Sequence, residues 1–187
     1  MVHISVVLDR SGSMSRLWQD SIGGLGQFIE DQQKLPGEVE FSLAVFDDKY
    51  NLLTSGTPLQ EVDINSLLEG IFSRGTTALY DAVGKTITTL GQNFQVSPPD
   101  KVIMAIITDG FENSSQEYSL DSVKALIKQQ TNEWGWEFMY FGSDITTHGA
   151  AKSIGIPTSV KFDATSVGTR RAYASYSTSV SNLRTEK

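Results

Sequence analysis

The feature that most constrains this chain is an alternation of short apolar runs with longer amphipathic stretches, sustained almost from end to end. Ile4–Leu8, Val39–Phe46, Val102–Ile107, Trp136–Phe141 and Val160–Phe162 are short and rich in branched or aromatic residues, so they read as strands. Between them apolar residues recur at helical spacing: Trp18, Ile22, Leu25 and Ile29, then Leu79, Val83, Ile87, Leu90 and Phe94, then Leu120, Val123 and Ile127, and last Tyr173, Tyr176, Val180 and Leu183. Punctuation agrees. Pro36-Gly37 stops the first helix, which opens near Ser15, and Ser97-Pro98-Pro99 stops the helix of Leu79. Asp63 and Ser119 stand as N-caps, and Gly155 closes a short helix from His148. Tyr50–Thr54 reads as an edge strand, hairpin-paired to Val39–Phe46 across Asp47-Asp48.

Strands separated by helices of this length need crossover connections, and these are right-handed. The predicted fold is a doubly wound three-layer α/β/α sandwich. It has a mostly parallel sheet of six strands, one antiparallel edge strand and about six or seven helices, with residues 1–187 as one domain.

Bulk chemistry removes several function classes. With no cysteine, thiol catalysis, disulfide scaffolds and zinc–thiolate sites are excluded. Twenty-two acidic against 15 basic residues give a net charge of −7, and Arg170-Arg171 is the one notable basic run, so neither nucleic acid nor an anionic membrane is an expected partner. Met1-Val2-His3-Ile4 enters a strand at once, and no apolar stretch approaches the ~18 residues of a membrane span. A cytoplasmic setting is the expectation.

In an open parallel sheet, ligands bind beyond the carboxyl ends of the strands, near the point where strand order reverses. The sequence places Asp9-Arg10-Ser11-Gly12-Ser13 after its first strand, Thr108-Asp109-Gly110 after its most hydrophobic one, and Gly75-Thr76-Thr77 in the loop opening the Leu79 helix. A glycine between Ser11 and Ser13 lets alternate side chains turn toward the Asp9 carboxylate. Thr77 adds a hydroxyl and Asp109 a second carboxylate. An all-oxygen set of this kind suits a hard cation, Mg²⁺ first and Ca²⁺ or Mn²⁺ as alternatives, rather than Zn²⁺ or Cu²⁺.

These three segments, in this order and spacing, resemble the metal-ion-dependent adhesion site of von Willebrand factor A domains, with Asp9 to Ser13 matching the Asp-x-Ser-x-Ser motif. The resemblance implies that Ser11, Ser13 and Thr77 bind the cation directly and that Asp9 and Asp109 act largely through water. It also implies a coordination position left for an Asp or Glu of a partner protein. Thr76 stands where the family usually has its second glycine, so either threonine could be the ligand, with Thr77 the aligned one. Asp81, one helical turn after Thr77, and Ser143 and Asp144, after the Trp136 strand, are candidates for supporting or partner-binding positions, as is Thr76. The tryptophans Trp18, Trp134 and Trp136 read as core or rim, and His3 and His148 are not placed as a pair. The expected role is a non-enzymatic, metal-dependent adaptor. Two other readings compete: a Mg²⁺-dependent phosphohydrolase using Asp9 as nucleophile, and a metal-free scaffold. The first wants a carboxylate where Ser11 stands. The second leaves five converging oxygen side chains without a purpose.

Overall fold

A computed structural model describes residues 1–143 and 147–185. Its strands are β1 (Val2–Asp9), β2 (Val39–Phe46), β3 (Tyr50–Pro58), β4 (Lys101–Thr108), β5 (Glu137–Gly142) and β6 (Thr158–Lys161). They form one sheet in the order β3-β2-β1-β4-β5-β6. All neighbours pair in parallel except β2 with β3. The expected architecture is therefore the observed one, antiparallel edge included. Strand order reverses between β1 and β4, so a crevice opens beyond Asp9 and Thr108.

Six α-helices cover the sheet among the described residues: α1 (Trp18–Gln33), α2 (Ile64–Leu67), α3 (Leu79–Phe94), α4 (Leu120–Trp134), α5 (Thr147–Ser153) and α6 (Ser166–Thr185). The period of two along each strand sorts the core into two layers. Ile4, Val6 and Leu8 of β1 pack with Leu25 and Phe28 of α1 and Tyr173, Tyr176 and Val180 of α6. Val7 of the same strand faces the other way, onto Leu79, Val83, Ile87 and Leu90 of α3 with Val123 and Ile127 of α4. Because both faces are covered, the central strands read as continuous apolar runs, which made them easy to find.

Helix ends follow local chemistry. The Asp63 carboxylate accepts from the N–H groups of Asn65 and Ser66, and Ser119 forms a capping box with Ser122. Gly135 ends α4 in the left-handed conformation, as Gly155 does after α5.

Several boundaries differ from expectation. A separate 3-10 turn, Gly12–Arg16, precedes α1, so the helix starts at Trp18 rather than Ser15. β3 runs on to Pro58, with irregular register opposite Phe41–Ala44. β6 begins two residues before the expected Val160–Phe162 and ends one before it, because pairing with Met139–Gly142 sets it rather than its own weak apolar pattern. Trp18 and Trp136 are buried, whereas Trp134 is exposed at the end of α4 and is not core. No helix of the described residues is long and apolar enough to cross a membrane.

Candidate functional site

β1 and β4 run side by side with Leu8 paired to Ile107, so Asp9 and Thr108 leave the sheet together. Thr108 Oγ1 donates to Asp9 Oδ2 at 2.5 Å, and the Ser11 N–H donates to Asp9 Oδ1 at 2.6 Å. Both oxygens of Asp9 are thus fixed by neighbours. The Ser11 and Ser13 hydroxyls lie 3.1 Å apart, and Ser13 Oγ donates to Asp109 Oδ1 at 2.6 Å. A Cβ placed on Gly110 would stand 2.9 Å from Thr77 Oγ1, 3.2 Å from Ser13 Oγ and 3.3 Å from Asp9 Oδ2. Three oxygens from two distant stretches crowd one point beside a third, and only a residue without a side chain leaves that cradle open.

The loops bearing these groups are bolted together. Arg10, inside the first motif, turns its guanidinium away from the crevice onto Asp47, just beyond β2, at 3.2 Å. Arg74 reaches the same carboxylate oxygen at 3.1 Å and donates its N–H to Arg10 O at 2.8 Å. Asp47 O accepts from the Ala78 N–H, and Gly75 O from the Gly12 N–H. On the other side, Thr77 and Asn113 exchange two bonds: the Thr77 N–H donates to Asn113 Oδ1 at 2.8 Å, and the Asn113 N–H to Thr77 O at 3.0 Å. The glycine whose backbone is special here is Gly75 at φ +70°, not Gly12, which has no positive φ. A side chain at 75 would also meet Asp48 Oδ1 at 2.6 Å.

Electrostatically the crevice is short of positive charge. Asp9 is fully buried and has no ion-pair partner among the described residues. Burial pushes its carboxyl up to about 6; the hydrogen bonds from Thr108 and Ser11 oppose the rise, and the nearby Asp109 charge adds to it. Asp109 is also raised, first by burial, while the bond from Ser13 and the charge of Arg16 pull the other way. The donor set fits a hard divalent cation: two carboxylates and three hydroxyls, with neither nitrogen nor sulfur. Among the described residues no three His, Asp or Glu side chains gather into a metal-binding group, so hydroxyls supply the majority of the candidate donors.

The structure therefore brings Asp9, Ser11, Ser13, Thr77 and Asp109 together. Thr77, not Thr76, carries the hydroxyl that reaches the cluster: Thr77 is buried, while Thr76 is exposed and lines a polar groove with Asp48, Lys49 and Lys85. Asp81 is occupied elsewhere. Its carboxylate accepts from the N–H groups of Gln116, Glu117 and Tyr118 at 2.8–2.9 Å, folding the loop after β4 onto α3. Ser143 directly follows β5 at the same end of the sheet, and Asp144 lies outside the described residues. Met14 and Trp18 are buried, which places Trp18 in the core rather than on the rim, and Trp18 Nε1 donates to Ile71 O at 3.0 Å. Sequence reading missed Asp47, Thr108, Asn113 and Glu112. The last of these accepts from the N–H groups of Tyr80, Ser114 and Ser115. A signal for Asp47 was present: Arg10 inside a motif headed for burial needs an anion nearby.

No protein-family model matches the chain, and none of the curated proteins matches its sequence. Solved structures do resemble its fold. The von Willebrand factor domain of the type V pili tip protein Mfa5 from Porphyromonas gingivalis superimposes with a TM-score of 0.69 at 9% identity, covering 100% of this chain and 96% of that one. The conserved hypothetical protein BatB from Bacteroides thetaiotaomicron gives 0.67 at 16% identity, with 100% of each chain covered. The PilB minor pilin from Streptococcus sanguinis gives 0.67 at 12% identity; 96% of this chain is covered, and it spans 61% of the pilin's length. The fold is of the von Willebrand factor A type.

Proposed function

We propose that this chain is a binding module in which Asp9, Ser11, Ser13, Thr77 and Asp109 hold one divalent cation, Mg²⁺ in the first instance, and that an Asp or Glu of a protein partner completes its coordination. One observation carries the reading: oxygens of Asp9, Ser13 and Thr77 converge on the point that a side chain at Gly110 would fill, with Asp109 hydrogen-bonded to Ser13 at 2.6 Å. The cation would supply the charge that Asp9 lacks. Neutral hydroxyls among its ligands would leave it able to attract an external carboxylate.

Burial of Asp9, with both oxygens engaged by Thr108 and Ser11, disfavours the nucleophile required by the phosphohydrolase alternative. A metal-free scaffold would carry an uncompensated buried carboxylate for no return. Two of the similar structures, a minor pilin and a pilus-tip domain, are consistent with a fold used for interaction, and they tie it to no single compartment. A cytoplasmic setting and one domain over residues 1–187 belong to the same proposal.

Thermal unfolding after chelator dialysis tests it. Mg²⁺, Mn²⁺ or Ca²⁺ at ~100 times its dissociation constant should raise the melting temperature by about 5–10 °C. Asp109→Ala and Ser13→Ala should abolish the rise. A wild-type melting point indifferent to all three ions would end the proposal.

A further inference from the structure

The same end of the sheet displays two aromatic rings that the core does not use. Five large apolar side chains are exposed among the described residues: Phe72 (62%), Val96, Phe111 (57%), Trp134 and Val167. Val96 and Trp134 stand at or beyond the far ends of α3 and α4, and Val167 opens α6. Phe72 and Phe111 belong to the two loops that also carry Thr77 and Asp109.

Their backbones are pinned although their rings are not covered. Next to Phe72, Ile71 O accepts from Trp18 Nε1, and two residues on the Arg74 N–H donates to Arg10 O. Next to Phe111, the Gly110 N–H donates to Thr108 Oγ1 at 3.0 Å, and two residues on Asn113 is paired with Thr77. Phe111 Cα lies within about 7 Å of Asp109 Cα by chain length alone. Exposed rings on a fixed backbone lose little entropy when covered, which is the property of aromatic anchors at protein interfaces. Two arginine side chains accompany these loops and would meet an acidic occupant: Arg16 is exposed three residues after Ser13, and Arg74 is half-exposed two residues after Phe72, sharing its ion-pair partner, Asp47, with Arg10.

Resting on the cation reading above, we propose that this face takes an extended protein segment in which the coordinating Asp or Glu has a large apolar residue within three positions. That residue packs against Phe72 and Phe111. The carboxylate gives the segment its metal dependence and the two rings give it sequence preference.

Phage-displayed 12-residue peptides, random except for a central Asp, are selected on the wild-type chain in Mg²⁺ and eluted with EDTA. Leu, Ile, Phe or Trp should be enriched within three positions of the Asp. The selected peptide, synthesised, should bind roughly tenfold more weakly to Phe72→Ser and to Phe111→Ser. Both variants should keep the Mg²⁺-induced rise in melting temperature. Three results overturn the inference: no enrichment, acidic peptides without apolar bias, or affinity unchanged in both variants. Light scattering that shows a wild-type dimer broken by the same substitutions also overturns it, because the rings would then belong to a self-interface. Loss of the cation reading looks different: wild type shows no Mg²⁺ shift, or its peptides hold equally well in EDTA.

Discussion

Asp9 ends β1 and Asp47 follows β2, side by side in a parallel pair in which Asp9 lies opposite Phe46. Both are fully buried. Their surroundings differ in one respect. Asp47 meets two guanidinium groups, from Arg10 and Arg74, and also accepts from the Lys49 N–H at 2.7 Å. Asp9 meets neutral donors, the hydroxyls of Thr108 and Ser11 and the Ser11 amide, with a second carboxylate close by. A buried carboxylate with cations is a structural bolt, whereas one without them is, on the function proposed above, completed by the ion it binds. The arginine that could have neutralised Asp9 is its own neighbour in sequence, and the fold turns it to Asp47 instead.

The comparison is most readily broken at Asp47. Asp47→Ala leaves Arg10 buried without its anion and releases the loops that present Ser11 and Thr77. Loss of one member of a buried pair costs about 3–5 kcal/mol, read as a lower midpoint in urea unfolding. A loss below about 1 kcal/mol would show that the bolt does not hold the site.

The opposite end of β1 supplies the next largest effect. His3 is buried, its Nε2 2.9 Å from Ser42 Oγ, and burial lowers its pKa to about 4. Glu40, 3.5 Å from Nδ1, would favour the charged ring, but Glu40 is a third exposed and burial prevails. The unfolded chain takes up this proton near pH 6.5 and the folded chain only near 4, so the contribution is complete above 6.5 and is lost as pH falls toward 4. The loss amounts to about 3 kcal/mol. It is measured as unfolding free energy against pH, with and without His3→Gln. Both proteins carry Asp9→Asn, so that the opposing proton uptake at Asp9, whose folded pKa is raised, is absent. Parallel curves would refute it.

The unequal surroundings of Asp9 and Asp47 also mark what the sequence could and could not disclose. The central strands announced themselves because Ile4–Leu8 and Val102–Ile107 are covered on both faces. Asp63 and Ser119 were readable because a cap acts within three residues. The candidate donors were readable because each lies at a strand end or helix start within a short motif. Edge strands were less so: none of the four residues of β6 is fully buried, and β3 pairs irregularly opposite Phe41–Ala44. Asp47, Thr108 and Asn113 act across loops 27 to 99 residues apart in sequence, and Asp47-Asp48 looked like any polar turn. Asp81 shows the converse: a correct location beside the site, with a carboxylate spent on three backbone amides.

Neutralising Asp9 sharpens the comparison by reversing its sign. Asp9→Asn keeps the shape and removes a buried charge that no cationic side chain among the described residues pairs with. Without divalent ions the variant should be more stable than wild type at pH 7 by up to about 3 kcal/mol, and Mg²⁺ should no longer add stability. Destabilisation on the scale of Asp47→Ala would make Asp9 another bolt.

Arg74 gives the smallest effect and the finest test. Its side chain is half exposed, so water already screens its pairing with Asp47, whereas Arg10 shares the buried environment of that carboxylate. Arg74→Ala should therefore cost about 0.5 kcal/mol in urea unfolding, within the range of solvent-exposed ion pairs. The cation-induced melting shift should survive, since the Arg74 N–H bond to Arg10 O and the Gly12 bond to Gly75 O use backbone alone. A loss approaching that of Asp47→Ala would mean that the second guanidinium, and not the first, neutralises Asp47. The contrast with Asp9 would then rest on a residue at the surface, open to competition from salt, and 0.5 M NaCl would weaken wild type as much as the substitution does.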